Sequence, residues 1–471
     1  MEKLELVFIP APLMGHVGQA IALANLLIKH FEHLTITVII VELPINPVAT
    51  EFTSFLSSTI SNERLNFIRF PSLPLESFTG YKYPGELRDL VLARQKPLLR
   101  DILASRLADP NPTYRLAACV VSMLCTSVMD VINEFSLPTY VFFASNAAFL
   151  GTNLYFQALQ EYHGQVVHEV LSSGTELAIP SYANPVLPSL LPFVITDEYS
   201  WWTRSLPYIK RYREAKGIIV NTFSELEQHA LLSYDDKTPP VYAVGPIIKP
   251  EPPAENLEIL EWLNDQPKSS VILLCFGSRG WLKAEQVREI AFAVERSGYR
   301  FIWALRCPPA DGLKGFPGEY KDFGEVLPDG FLERTADRGK VVGWVPQQAV
   351  LSKAAIGGFV THCGWNSVQE SLWYGVPMAT WPLYAEQRLD AFQLVKEFGL
   401  AVEITLDFNE ANENQKLILA EDIENGIRQV MDSNNKIRSK VSETKNKIRM
   451  TLEDGGSSLA SLRRLVDDFS S

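Results

Sequence analysis

Metal-ligand and disulfide spacings are missing from this chain. Its five cysteines (Cys119, Cys125, Cys275, Cys307 and Cys363) are odd in number and scattered. No CxxC pair or Cys/His ligand spacing occurs among them, which argues against a disulfide framework and a zinc site. Positive charge is scarce as well. The 43 Lys and Arg against 55 Asp and Glu leave a net charge of −12, unsuited to a nucleic-acid or anionic-membrane partner. No apolar run approaches the roughly 20 residues of a membrane span. The start, MEKLELVFIPAPLMGH, has neither the basic flank nor the long apolar core of a signal peptide. A soluble, reducing, cytoplasmic setting is expected. Nucleotide fingerprints are absent too: no GxGxxG follows a strand, no GxxxxGK[ST] occurs, and GLKGFPG has the wrong spacing. That counts against a nicotinamide dehydrogenase or an ATPase. No Asp-x-Asp triplet offers an obvious place for a divalent metal.

What is present points to two α/β units. A chain of 471 residues is too long for one ordinary core, and 46% hydrophobic residues can fill two. LELVFIPAPLMGHVGQAIALANLLIKHF (4–31) and SSVILLCFGSRGWLKAEQVREIAFAVERSG (269–298) share one plan: apolar strand, Gly-containing turn, helix. Further strands (LTITVIIVEL, LAACVVSML, PTYVFFAS, RFIWALR, KVVGWV, IGGFVTH) alternate with helical stretches, as in doubly wound parallel sheets. Four prolines between 246 and 253 read as a stiff connector. Domains are therefore expected at 1–245 and 246–455. A final helix at 456–471, striped by Leu459, Leu462 and Leu465, must dock somewhere. The basic run NNKIRSKVSETKNKIRM has helical apolar spacing and reads as a solvated helix face.

The densest polar cluster is FVTHCGWNSVQESLWYGVP (359–377). Its pattern predicts a strand to Thr361, a turn at Cys363 and Gly364, and a helix from about Trp365 to Tyr374. His362, Asn366 and Ser367 then surround a helix N-terminus, where backbone N–H groups bind anions. No Lys or Arg lies between Ala354 and Gln387, so neutral donors and the helix terminus would have to hold a diphosphate. Taken alone, His362 would be a buried capping histidine, and Cys363 a packed thiol.

From Trp344 to Gln387 the chain resembles the signature box of plant family 1 UDP-sugar-dependent glycosyltransferases: the opening Trp and PQ, the HCGWNS core, Glu370, and the closing EQ. PAPLMGHVGQAIALANLL, NEFSLPTYVFFASNAAFLG and CFGS are similar to that family too. The resemblance implies a GT-B fold of two facing Rossmann-like domains, with a C-terminal helix returning to the N-terminal one. It implies that Trp344 stacks on uracil, the Val345 backbone reads the base edge, and Gln347 and Glu370 bind ribose. His362, Asn366 and Ser367 would hold the diphosphate with Ser278 and the turn at Gly364. Trp365, Glu386 and Gln387 would meet the sugar, with Ser145 a further contact because Ala144 replaces a common Thr. The closing Gln387 is associated with glucose. Trp373 and Trp381 are expected in the core or its shell.

The same resemblance makes His16 the catalytic base, set to deprotonate an acceptor hydroxyl. Its usual partner, an Asp, is replaced here by Ser122, and Asp130 lies too far along to substitute. Serine cannot neutralise an imidazolium, so acidic phenols are favoured over aliphatic alcohols as acceptors. The expected activity is inverting transfer of glucose from UDP-glucose to a small hydrophobic, flavonoid- or stilbene-like phenol, by a monomer without metal or cofactor. The alternative is a sugar-nucleotide-binding protein weakened at Ser122. Aromatics in YKYPGEL, LGTNLYF and DEYSWWTR suit a flat apolar acceptor or a core equally.

Overall fold

The computed structural model describes residues 2–45, 63–110, 112–248, 257–309, 317–409 and 415–470. The chain divides into two units, Met1–Val170 with Glu198–Pro252 and Thr451–Ser471, and Leu171–Asp197 with Pro253–Met450.

The first unit is built on β1 (Leu4–Ile9), β2 (Leu34–Ile40), β3 (Leu65–Arg69), β4 (Arg115–Ser122), β5 (Thr139–Phe143), β6 (Gly217–Val220) and β7 (Val241–Ala243). All pairings are parallel, in the order β3-β2-β1-β4-β5-β6-β7. Strand β1 shows why the sequence folds so. Leu6 and Phe8 face one core, Val7 and Ile9 the other, by the two-residue alternation of a strand covered on both sides. Pro10 and Pro12 then remove ladder donors and end the strand. The helix Met14–His30 follows, burying Val17, Ile21, Ala24 and Ile28 at helical spacing. Opposite it, the helix Pro84–Leu107 buries Leu87, Val91, Leu99 and Leu103.

The helix Ser457–Ser470 belongs to this first unit. Leu459, Leu462 and Leu465, joined by Val466 and Phe469, enter the core beside Leu4 and Leu27. Each buried side chain of this size contributes about 1.5–3 kcal/mol. Asp468 adds polar ties, accepting from the Tyr140 hydroxyl at 2.7 Å and the Tyr242 hydroxyl at 2.9 Å.

The second unit carries β8 (Val271–Cys275), β9 (Arg300–Ala304), β10 (Gly339–Val342), β11 (Ile356–Thr361), β12 (Met378–Thr380) and β13 (Ala401–Glu403). They too are parallel, ordered β10-β9-β8-β11-β12-β13. The helices Ala284–Ser297 and Ala420–Met431 supply much of its core, with Val287, Ile290, Ile423 and Ile427. The basic helix Lys436–Met450 buries only Val441 and Ile448, a largely solvated face.

The division differs from the sequence reading at 253 in place of 246, at 451 in place of 456, and most of all within the first half. Residues 171–197 fall outside the first unit and cluster with the second. Arg388 donates to the carbonyls of Ser189 and Leu191, both at 2.6 Å, and Glu397 accepts from the Ala183 and Asn184 amides. These long-range ties leave no local mark in the sequence. The connector prolines at 250, 252 and 253, and most of GLKGFPG, lie outside the described residues. Among the described residues, no helix is long and apolar enough to cross a membrane.

Candidate functional site

In an open parallel sheet, ligands bind beyond the carboxyl ends of the strands where the order reverses direction. That point lies between β8 and β11 in the second unit, and between β1 and β4 in the first. Both hold polar residues singled out above.

In the second unit, Cys275 pairs with Thr361, so the CFGS turn and the His362–Gly364 turn leave the sheet side by side. The His362 ring is wedged between them. A Cβ on Gly277 or on Gly364 would come within 2.6 Å of its Nε2, so both positions need glycine. Gly277 also has φ of 77°, the left-handed region that glycine enters freely. Ser278 follows directly. Cys363 has φ of 62° and its amide donates to Thr361 Oγ1 at 3.2 Å, turning the chain into the helix Trp365–Tyr374. Such a backbone state costs a non-glycine residue on the order of 1–3 kcal/mol and tends to be kept where a site requires it. Ala385 (φ 53°), just before Glu386 and Gln387, is another case.

The helix Trp365–Tyr374 has no acidic residue in its first turn. His362, Trp365 and Ser367 are buried around that end, and Asn366 is half-buried. The Gln347 amide donates to Ser367 Oγ at 2.9 Å and to Glu370 Oε2 at 2.6 Å, while Gln348 reaches Glu370 Oε1 at 3.3 Å. Glu370 is therefore a buried carboxylate held by two amides, not a solvated helix residue. Gln387 Oε1 accepts from the Leu383 and Tyr384 amides at 2.9 and 3.0 Å, and the Tyr384 ring lies 6.3 Å from that of His362. The first end of the polar box thus meets the helix Trp365–Tyr374, and the last end meets the His362 turn before it. Trp344 is 48% exposed, with the Arg306 guanidinium 5.6 Å from its ring centroid, and Val345 beside it is buried. Burial pushes the Cys363 thiol up, so it is a packed thiol and no nucleophile. Trp381 is core, and Trp373 packs under Arg449.

In the first unit, Ile9 pairs with Val121, so the N-terminal turn of the helix Met14–His30, which carries His16, and the end of β4 at Ser122 share one sheet edge. His16 is half-buried at its surface, but its Nδ1 is enclosed and makes no hydrogen bond. Ser122 Oγ is turned instead to the Leu124 amide at 3.4 Å. Burial, and then the nearby Arg88 guanidinium, pull the His16 imidazole down to about 4. At pH 7 it is neutral. Asp130 pairs with Lys96 and Arg211, so it is not the missing carboxylate. Ser145 is buried where β5 enters the helix Ala147–Glu161, whose end is capped by Asn146. Of the aromatics in DEYSWWTR, Trp201 is core while Tyr199 and Trp202 are exposed.

Three residues escaped the sequence reading: Arg306, Arg88 and Gln348. Both arginines lie far in sequence from what they face. Gln348 follows Gln347 with no spacing to distinguish it.

Comparison with known proteins shows what the whole chain is similar to. The family model described as UDP-glucoronosyl and UDP-glucosyl transferase matches residues 223–441. A UDP-glycosyltransferase from Malus domestica (71A15) is 45% identical, covering 98% of both chains. The UDP-glucose flavonoid 3-O-glucosyltransferase 6 of Fragaria ananassa is 43% identical over 99% of this chain and 98% of its own. The crystal structure of a Medicago truncatula glycosyltransferase, UGT71G1, complexed with UDP-glucose superposes with a TM-score of 0.87 at 36% identity, over 100% of this chain and 99% of that one.

Proposed function

The chain belongs to the plant family 1 UDP-glycosyltransferases, enzymes that act on small-molecule acceptors, and from that premise we propose that it transfers glucose from UDP-glucose to a phenolic hydroxyl with inversion. The observation that carries the donor half is the glycine-walled His362 at the N-terminus of the helix Trp365–Tyr374, with the Gln347–Glu370 pair beside it. In this reading Trp344 stacks on uracil, the Val345 backbone meets the base edge, and Gln347 and Glu370 take the ribose hydroxyls. Ser278, His362, Gly364, Asn366 and Ser367 surround the diphosphate. The sugar hydroxyls go to Trp365, Glu386 and Gln387, with Ser145 a further contact. As the acceptor oxygen attacks the anomeric carbon, the bond to UDP breaks. The charge left on UDP is met by preorganised N–H and O–H donors, which need no metal.

His16 receives the acceptor proton when there is one to receive. Its enclosed Nδ1 leaves the other edge of the ring, with Nε2, for that task. The same bare Nδ1 supports a second reading, a sugar-nucleotide-binding protein with little turnover. Release of UDP from UDP-glucose across a panel of phenols and alcohols separates the two. Turnover with at least one phenol is expected, and faster with UDP-glucose than with UDP-galactose. Tight UDP-glucose binding without turnover on any acceptor would favour the second reading.

A further inference from the structure

No Lys or Arg lies between Ala354 and Gln387, yet one guanidinium is held against the tryptophan that opens the polar box. Arg306 comes two residues after the end of β9, and Trp344 two residues after the end of β10. The two strands pair in parallel with Ala304 opposite Val342, so both residues leave the same end of the sheet at the same level. The guanidinium carbon then lies over the indole, 5.6 Å from its centroid. That is within the roughly 6 Å over which a cation is attracted to an aromatic face.

The cation is fixed by the chain around it. Arg306 Nη2 donates to the Pro317 carbonyl at 2.6 Å. The amides of Cys307 and Gly318 each donate to the other's carbonyl at 3.0 Å, which keeps Pro317 and Glu319 alongside Arg306. Gly343, the residue before Trp344, gives Glu319 its room: a Cβ there would come within 2.8 Å of the carboxyl carbon. The ion pair between Arg306 and Glu319 is long, at 3.7 Å, and its carboxylate is well exposed, so it adds little. The carbonyl and the indole are the stronger restraints. The Arg306 side chain is only 16% exposed and its Nε is enclosed without a hydrogen bond among the described residues, whereas Trp344 is 48% exposed. The ring is thus backed by a largely desolvated cation while nearly half of its surface stays open. Such a ring is arranged to receive a second flat group.

Resting on the donor-site reading above, we propose that Arg306 is a positioning residue for UDP, holding the Trp344 indole in place before the nucleotide arrives and so strengthening its stacking on uracil. An exposed tryptophan without that backing must be ordered when the base binds, a cost equivalent to about threefold to tenfold in affinity for one immobilised side chain. Arg306 removes that cost in advance and acts only through the ring. Its contribution is the same in the bound substrate and in the transition state. Loss of Arg306 should therefore raise the KM for UDP-glucose and leave the rate at saturation in place.

The test is a double-mutant cycle on the dissociation constant of UDP, measured by calorimetry for the wild type, Arg306→Ala, Trp344→Ala and the double variant. Arg306→Ala should weaken UDP about threefold to tenfold when Trp344 is present, and less than about twofold in Trp344→Ala. Arg306→Lys, which keeps the cation but not the planar fork, should fall between the wild type and Arg306→Ala. Equal losses in both backgrounds would mean that Arg306 acts on the nucleotide or the fold independently of the ring, and would overturn the proposal. So would an unchanged constant in Arg306→Ala. Should Arg306→Ala fail to fold, the same cycle run with Arg306→Lys decides, by a loss of about twofold seen only with Trp344 present. A wild type that does not bind UDP overturns the donor-site reading itself, whereas UDP binding that depends on Trp344 but not on Arg306 overturns only the role of Arg306.

Discussion

Replacing Ser122 by aspartate should turn the first unit's site into one that favours a protonated base. The enclosed Nδ1 of His16 has no hydrogen-bond partner, and the imidazole is held at about 4. A carboxylate about 4 Å away, at an effective dielectric of about 20, attracts an imidazolium by about 4 kcal/mol. Two effects reduce that gain. Ser122 is buried, so the new charge is partly desolvated, and Arg88 draws on the same carboxylate. A net 1.4–2.7 kcal/mol is a fair expectation, about one to two pKa units. His16 should then titrate between about 5 and 6, and aliphatic alcohols should be glucosylated about tenfold to a hundredfold faster. Acidic phenols should gain little, because they ionise without help. The assay is kcat/KM for both proteins across acceptors of graded hydroxyl pKa, with the His16 titration followed by NMR. If His16 titrates higher in Ser122→Asp while alcohols gain nothing, base strength does not limit the reaction and the reasoning fails.

Other consequences are separable. Trp344→Ala should weaken UDP-glucose binding by about 1–3 kcal/mol, the worth of a base stacked on an aromatic ring, with kcat little changed; an unaltered dissociation constant would detach Trp344 from the uracil. EDTA should leave turnover intact, and a strong loss restored by a divalent cation would show that a metal takes part. Leu462→Ala, deep under the terminal helix, should lower stability by about 2–5 kcal/mol in denaturant titration, and a loss under about 1 kcal/mol would mean that this helix is not part of the cooperative core. The depressed His16 also couples stability to pH. Its contribution is complete above about 6.5 and is lost as pH falls toward about 4, because the unfolded chain binds the proton first; His16→Gln should flatten that part of the profile.

Much of this architecture could be read from local pattern. Runs such as LTITVII and VILLC are apolar throughout because both faces of a parallel sheet are covered, and the strand-turn-helix around His362 falls where its periods change. Candidate donor residues could be named because most of them lie in one stretch of the sequence, from Trp344 to Gln387. What escaped depends on distant partners. Glu5 looks wrong for a buried strand until the Thr37 hydroxyl, 2.6 Å away on the neighbouring strand, is seen to donate to it. Residues 171–197 join the second unit through Arg388 and Glu397, some 200 positions away. The missing carboxylate was visible at Ser122, but the guanidinium of Arg88 in the same unit was not. Arg88 is separated from His16 by 72 positions, and only the packing of Leu87 and Val91 on the end of β1 brings their two helices to one sheet edge.

The most direct test of the whole account is the product itself. The protein should be incubated with UDP-glucose and a phenol of hydroxyl pKa about 7, and the anomeric proton of the sugar followed by NMR. The account predicts a β-glucoside formed in step with UDP release, at a rate that collapses in His362→Ala. An α-linked product, or UDP-glucose hydrolysed to free glucose with no transfer to any phenol, would contradict it.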